Sequence, residues 1–155
     1  MQWQDVLADP SLQNLPYKIE LNERGIIEMS PASFFHSRLQ GKLAGILSTQ
    51  LGGEVFTELA ILTRKGVRVP DVAWGTHDYF QQHLGDICAT SAPEICIEIL
   101  SPSNSTSEMQ EKTSLFLEAG AIEVWLLDEQ GCLSVFDVDG QQADTRYPVD
   151  LSALK

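Results

Sequence analysis

Glu98 stands within Ile95-Cys96-Ile97-Glu98-Ile99-Leu100, where apolar side chains occupy both faces of a short β-rich run. Apolar positions that do not alternate with polar ones mark a strand buried on both sides. An ionised carboxylate in such a strand is costly unless it is paired, hydrogen-bonded or bound to a metal. Asp71 interrupts a second β-rich run, Val67-Arg68-Val69-Pro70-Asp71-Val72-Ala73-Trp74. Proline removes a ladder donor, so position 71 falls at a strand start or a bulge, where a side chain can be aimed at a ligand. Lys112 lies three residues after Met109 and four before Phe116, on the inward face of a predicted helix. Each residue alone has an ordinary explanation: a buried Glu satisfied by Arg or backbone donors, a Pro-Asp turn, a lysine that snorkels to water. Together they suggest one chemistry. Two carboxylates on adjacent strands suit one or two Mg²⁺ (or Mn²⁺) ions, which prefer oxygen ligands and substrate phosphate. Such an ion activates water and stabilises charge on a phosphodiester, while Lys112 would orient or deprotonate that water or offset transition-state charge.

Further candidates surround this trio. His36 is a possible phosphate contact or proton carrier, with a structural role as the alternative. Ser101 and Ser103 flank Pro102 at the end of Glu98's strand, where they either cap the next segment or touch substrate. Glu58, midway along Glu54–Leu62, is either an added carboxylate or an outward strand position. His77 and His83 show no ligand spacing. Cys88, Cys96 and Cys132 form no CxxC pair, which suggests neither a disulfide framework nor a zinc site.

The elements that must position these residues can be read from periodicity. Residues 3–8 predict a short helix ended by Asp9-Pro10. Residues 17–30 predict a hairpin turning at Asn22-Glu23-Arg24-Gly25. Pro31 is a plausible helix start, and Phe35, Leu39, Leu43 and Ile46 predict an amphipathic helix from about 32 to 51, stopped by Gly52-Gly53. Gly41 and Gly45, one turn apart, are expected to let that helix approach a sheet closely. The runs 54–62 and 67–75 predict an antiparallel pair around Thr63-Arg64-Lys65-Gly66, followed by a short helix near 78–84. Ser105-Thr106-Ser107-Glu108 fits a capping box that opens a helix closed by Gly120. Strands at 122–128 and 132–138 follow, and the tail after Gly140 is weakly patterned. The strand–helix–strand unit from Glu98 to Trp125 has the length of a right-handed parallel crossover. The order predicts a mixed α/β (α+β) domain: a central mixed sheet flanked by helices, with an N-terminal β-hairpin, in one domain over 1–155 with its core at about 17–138.

The strings 28–36 (EMSPASFFH), 68–74 (RVPDVAW), 93–105 (PEICIEILSPSNS) and 111–128 (EKTSLFLEAGAIEVWLLD) occur in one order across most of residues 17–138. In that order they resemble the PD-(D/E)xK restriction-endonuclease-like superfamily, and within it the Uma family of bacterial endonuclease-like proteins. The resemblance implies a mixed four- or five-stranded core sheet with flanking helices, and metal ligation by Asp71 and Glu98. The position two after Glu98 is Leu100 rather than the lysine of the simplest signature. The resemblance implies that the lysine comes from the following helix, at Lys112.

The function implied is a Mg²⁺- or Mn²⁺-dependent endonuclease acting on DNA, with Asp71, Glu98 and Lys112 catalytic and His36 and Ser101 at the substrate. A homodimer is expected by analogy, since cutting two strands needs two sites. The net charge of −12 bears on that expectation. Neutralising phosphates calls for Lys and Arg, so the composition argues against a broad, nonspecific nucleic-acid footprint. It leaves open a metal-centred site, where the cation supplies local positive charge. It also leaves open two other readings: a nuclease-fold binding or assembly module with little catalysis, and a hydrolase of a small phosphodiester. No apolar run approaches the ~20 residues of a membrane span, and the start has no signal-peptide pattern; the expected location is cytoplasmic.

Overall fold

The computed structural model describes residues 1–155 and contains two sheets. The larger is built from β3 (Glu54–Thr57), β6 (Val72–Gly75), β7 (Ile95–Ile99), β8 (Glu123–Leu127), β9 (Leu133–Asp137) and β10 (Gly140–Gln142). Its order is β10-β9-β8-β7-β6-β3. Six strands stand where the resemblance implied four or five, because the β3 and β10 edges extend the sheet. Only β7 and β8 are parallel; they are joined by α4 (Thr106–Glu118), as the crossover length required. The smaller sheet holds the predicted hairpin, β1 (Tyr17–Leu21) and β2 (Ile27–Pro31), together with β4 (Ile61–Thr63) and β5 (Gly66–Arg68), in the order β2-β1-β5-β4. Helices α1 (Trp3–Ala8), α2 (Phe34–Leu51) and α3 (His77–Gln82) complete the fold.

The large sheet buries a different helix on each face. Leu39, Leu43 and Leu47 of α2 pack with Ile95, Ile97, Ile99, Val72 and Trp74. On the other side, Phe116 of α4 packs with Cys96 and Val124. Successive strand residues point to opposite faces, so Glu98 shares the α4 side with Cys96. The β6–β7 register pairs Val72 with Ile97, and one further step brings Asp71 opposite Glu98.

Each of the two β-rich runs between 54 and 75 crosses from one sheet to the other. The first bends at Glu58, which adopts the left-handed conformation at φ 56°. The second crosses at Val69–Asp71, where Pro70 has no N–H to give a ladder. The expected antiparallel pair is therefore split, with β4–β5 in the small sheet and β3–β6 in the large one.

Three details of α2 differ from expectation. Pro31 ends β2 instead of starting the helix; Ser33 is the cap, its Oγ accepting the His36 N–H at 3.1 Å. The inward stripe is Leu39, Leu43 and Leu47, whereas Phe35 is exposed and Ile46 only half-buried, because the 3.6-residue period rotates them off the sheet-facing line. A Cβ added at Gly41 or Gly45 would meet nothing within 4 Å, so neither glycine mediates a close approach. The weakly patterned tail contributes β10 and packs Tyr147, Val149, Leu151 and Leu154 against the α2 side. No helix is long and apolar enough to cross a membrane.

Candidate functional site

The sheets meet beneath a cleft of about 690 Å³. The end of β7, the turn before β6, helix α4 and the first strand of the small sheet all deliver a charged side chain to its floor. Asp71 and Glu98 are 2% and 3% exposed, which is low enough that each must be partnered. Lys18 of β1 partners both: its Nζ lies 3.0 Å from Asp71 Oδ1 and 3.2 Å from Glu98 Oε2. The second Asp71 oxygen accepts the Ile99 N–H at 2.8 Å and lies 3.1 Å from His36 Nε2. The second Glu98 oxygen faces Lys112 Nζ at 3.4 Å. Lys112 makes its shorter contact, 2.7 Å, with Glu20 Oε1, and the other Glu20 oxygen accepts the Val69 N–H at 2.8 Å.

Asp71, Glu98, Lys112 and His36, all singled out from the sequence, thus converge. Helix α2 braces the turn as well, since Gln40 Nε2 donates to the Asp71 carbonyl at 3.0 Å. Ser101 lines the cleft wall but is engaged with its own loop, contacting Ser103 Oγ at 2.9 Å and Asn104 Oδ1 at 3.1 Å. Glu58 is not an outward strand residue; it lies beyond β3, exposed at the cleft edge. His77 and His83 lie away from the cleft on and after α3. His83 contacts Asp86 and Ser91 there.

Sequence reasoning missed Lys18 and Glu20. They share one face of β1, while Leu21 turns to the apolar face with Val6 and Val67. The alternation in Tyr17-Lys18-Ile19-Glu20-Leu21 is the only signal, and it is also what a solvated hairpin face displays. What distinguishes them is burial: Glu20 is 2% exposed.

The cluster sorts its charges. Burial pushes the Asp71 carboxyl up, but the His36 hydrogen bond, the Lys18 charge and the Ile99 N–H together outweigh it and hold Asp71 below the ordinary range. For Glu98, burial dominates: with the Asp71 and Glu20 charges it outweighs Lys18 and Lys112, and the carboxyl is pushed up to about 7. Burial works against the lysine charges, yet Glu98, Asp71 and Glu20 raise Lys18, and Glu98 and Glu20 raise Lys112. The hydrogen bond to Asp71 raises His36. Asp71 is therefore a fixed anion, and Glu98 is the member able to change its protonation near neutral pH.

No group of three or more Asp, Glu, His or Cys side chains converges as a complete ligand cage. Two carboxylate oxygens, one from Asp71 and one from Glu98, do face a shared point, and the Lys18 ammonium stands there as a cation. Hard oxygen donors in that number match Mg²⁺, which retains waters and takes one or two carboxylates plus substrate phosphate. The residues fit such an ion, provided Lys18 yields its place.

Comparison with known proteins gives the same architecture. The sequence model of the Uma2 family, described as "Putative restriction endonuclease", matches residues 3–152. A solved structure from Anabaena variabilis ATCC 29413, titled as a putative nuclease belonging to DUF820, superposes with a TM-score of 0.73 at 21% identity. It covers 97% of this chain and 89% of its own. At that identity the likeness establishes the fold. No curated protein matches the chain.

Proposed function

The chain belongs to the Uma2 family, and from that premise we propose that it is a divalent-metal-dependent endonuclease that hydrolyses DNA phosphodiester bonds. One observation carries the metal-dependent part of this reading: two almost fully buried carboxylates, Asp71 and Glu98, share a single cation position at the floor of an open cleft. Asp71 and Glu98 would hold Mg²⁺ or Mn²⁺. When bound, the ion supplies a Lewis acid and an activated water to the scissile phosphate.

The protein's own groups do the remainder. Asp71 is kept ionised and is aimed by the Ile99 N–H and by His36. Burial pushes the Glu98 carboxyl up in the metal-free protein, and a bound cation would favour the ionised form that ligates it. Lys112 is held by Glu20 and Glu98 on the α4 side, where its charge offsets that developing on phosphate oxygens. His36, in contact with Asp71, and Ser101 both line the cleft and would contact an entering backbone. Two copies of the chain would supply one site per strand of a duplex.

The test is cleavage of plasmid DNA with Mg²⁺ or Mn²⁺ by the wild-type protein and by Asp71→Ala and Glu98→Ala. Metal-dependent cleavage lost in both variants is expected. Equal cleavage by the variants removes the proposed site.

A second reading is favoured by the rim. The only lysine or arginine side chains lining the cleft are Lys18, half-buried, and Lys112, buried, and both are engaged with carboxylates, whereas Glu58, Glu108 and Glu129 also line it. A duplex backbone meets no free Lys or Arg there. A nucleotide or other small phosphodiester, bringing fewer charges, enters such a cleft at lower cost. Comparing a nucleotide phosphodiester with plasmid DNA as substrate separates the two.

A further inference from the structure

Lys18 occupies the place that the proposed function needs for a divalent ion. Its Nζ sits 3.0 Å from Asp71 Oδ1 and 3.2 Å from Glu98 Oε2, and its side chain is 9% exposed. The other polar partners do not overlap with it. Asp71 Oδ2 is taken by Ile99 and His36, and Glu98 Oε1 faces Lys112. The two oxygens that point at each other across the β6–β7 register are thus bridged by one ammonium alone.

Lys18 also differs from Lys112 in what anchors it. Lys112 has Glu20 at 2.7 Å as a partner outside the carboxylate pair. Lys18 has no acidic contact other than Asp71 and Glu98. It stands near the open end of β1, beside exposed Tyr17, and lines the cleft. A lysine so placed can leave its carboxylates by rotating its four-carbon stem toward the cleft water, with no change in the backbone.

We propose that Lys18 is an exchangeable counterion: it neutralises Asp71 and Glu98 until a divalent cation binds, and is then released into the cleft. The inference rests on the metal-site reading given above. A divalent ion held by Asp71 Oδ1 and Glu98 Oε2 would need the position the Lys18 ammonium now fills between them, and two like charges crowded there repel strongly. Metal binding and the Lys18 contact are therefore competitive, and each weakens the other equally. The exchange has a further effect. The cleft edge contributes no cation, so a released Lys18 adds one ammonium to a surface that otherwise repels phosphate. Metal loading would then prepare the cleft for an anionic substrate as well as filling the site.

The experiment is Mn²⁺ binding to the full chain, followed by electron paramagnetic resonance of free Mn²⁺, for wild type, Lys18→Met, Lys18→Gln and Asp71→Asn. Labelling of Lys18 with an amine-reactive ester, read by mass spectrometry in EDTA and in Mn²⁺, is a second measurement on the wild-type protein. The expected result is Mn²⁺ affinity at least tenfold tighter in the folded Lys18 variants, binding lost in Asp71→Asn, and Lys18 labelling faster by several-fold with Mn²⁺. Wild-type binding that depends on Asp71, with unchanged affinity in the Lys18 variants, overturns the exchange and leaves the metal site standing. No Mn²⁺ binding by wild type or by either Lys18 variant overturns the metal site and the exchange together. If neither Lys18 variant folds, the labelling decides: a rate insensitive to Mn²⁺ under conditions where wild type binds it refutes release.

Discussion

Glu20→Ala removes one carboxylate and leaves two donors without their partner. Lys112 Nζ keeps only Glu98 Oε1, at 3.4 Å instead of the 2.7 Å contact it loses, and the Val69 N–H has no acceptor. Breaking a buried pair by deleting one member costs about 3–5 kcal/mol. An orphaned buried N–H costs about 1–3 kcal/mol more. Because Lys112 borders the cleft, water entering beside it offsets part of this, and the net expected loss is about 3–5 kcal/mol. In a domain of this size each kcal/mol lowers Tm by about 2–4 °C, so the midpoint should fall by roughly 10 °C. The assay is urea unfolding in EDTA followed by tryptophan fluorescence, since Trp125 is fully buried in the core. Lys112→Met and the double variant complete a cycle. Removing both members takes away the stranded charge, so the double variant should be more stable than the sum of the singles by about 2 kcal/mol. A single-variant loss under about 1 kcal/mol, or additivity within about 0.5 kcal/mol, refutes a coupled Glu20–Lys112 pair.

The pH dependence of the metal-free protein should carry the signature of Glu98. Burial pushes its folded carboxyl up to about 7 against 4.5 ordinarily, so its contribution to stability is full below 4.5 and is lost as pH rises to about 7. Asp71 acts in the opposite sense: its depressed carboxyl contributes above 3.8 and that contribution is lost as pH falls below it. Unfolding midpoints from pH 3 to 8 should therefore show Glu98→Gln losing the decline between 4.5 and 7, on the order of 2–3 kcal/mol, while the acid limb stays; a retained decline sinks the assignment. Gly41→Ala and Gly45→Ala should each stabilise the protein by about 0.5–1 kcal/mol, since both are helical and open, and a destabilised variant would show a contact absent from the structure. Glu123 is 1% exposed and accepts from Trp125 Nε1, Thr145 Oγ1 and the Arg146 N–H. Glu123→Ala should cost about 3 kcal/mol and open residues 143–149 to limited proteolysis; an unchanged digestion pattern would show that other contacts hold that segment.

The acids were legible because the hydrophobic effect makes them conspicuous: a carboxylate in an unbroken apolar strand is an anomaly visible in one dimension. Lys112 was legible because helical periodicity fixes which residues share a face. Lys18 and Glu20 were not, since alternation in β1 reads the same whether the polar face meets water or another sheet. The split of two β-runs across sheets was equally hidden. It depends on a left-handed Glu58, a residue type with no special liking for that conformation, and on the Pro70 crossover, which read from sequence only as a strand start or bulge. The glycines of α2 misled because a one-turn spacing suggests close packing, while their Cα atoms face open space. Periodicity tells which residues lie together on an element; it does not tell what lies opposite them.

The separation along the chain between the acids and their counterions has a consequence for how the molecule is made. Asp71 and Glu98 come together through neighbouring strands, but Lys18 is 53 and 80 residues away from them, and Glu20 is 92 residues from Lys112. Contacts that close loops of this length are the slow ones in folding. Until β1 docks, Asp71 and Glu98 lack Lys18, and Lys112 lacks Glu20. The charge cluster is therefore satisfied only when the hairpin and the large sheet are both in place.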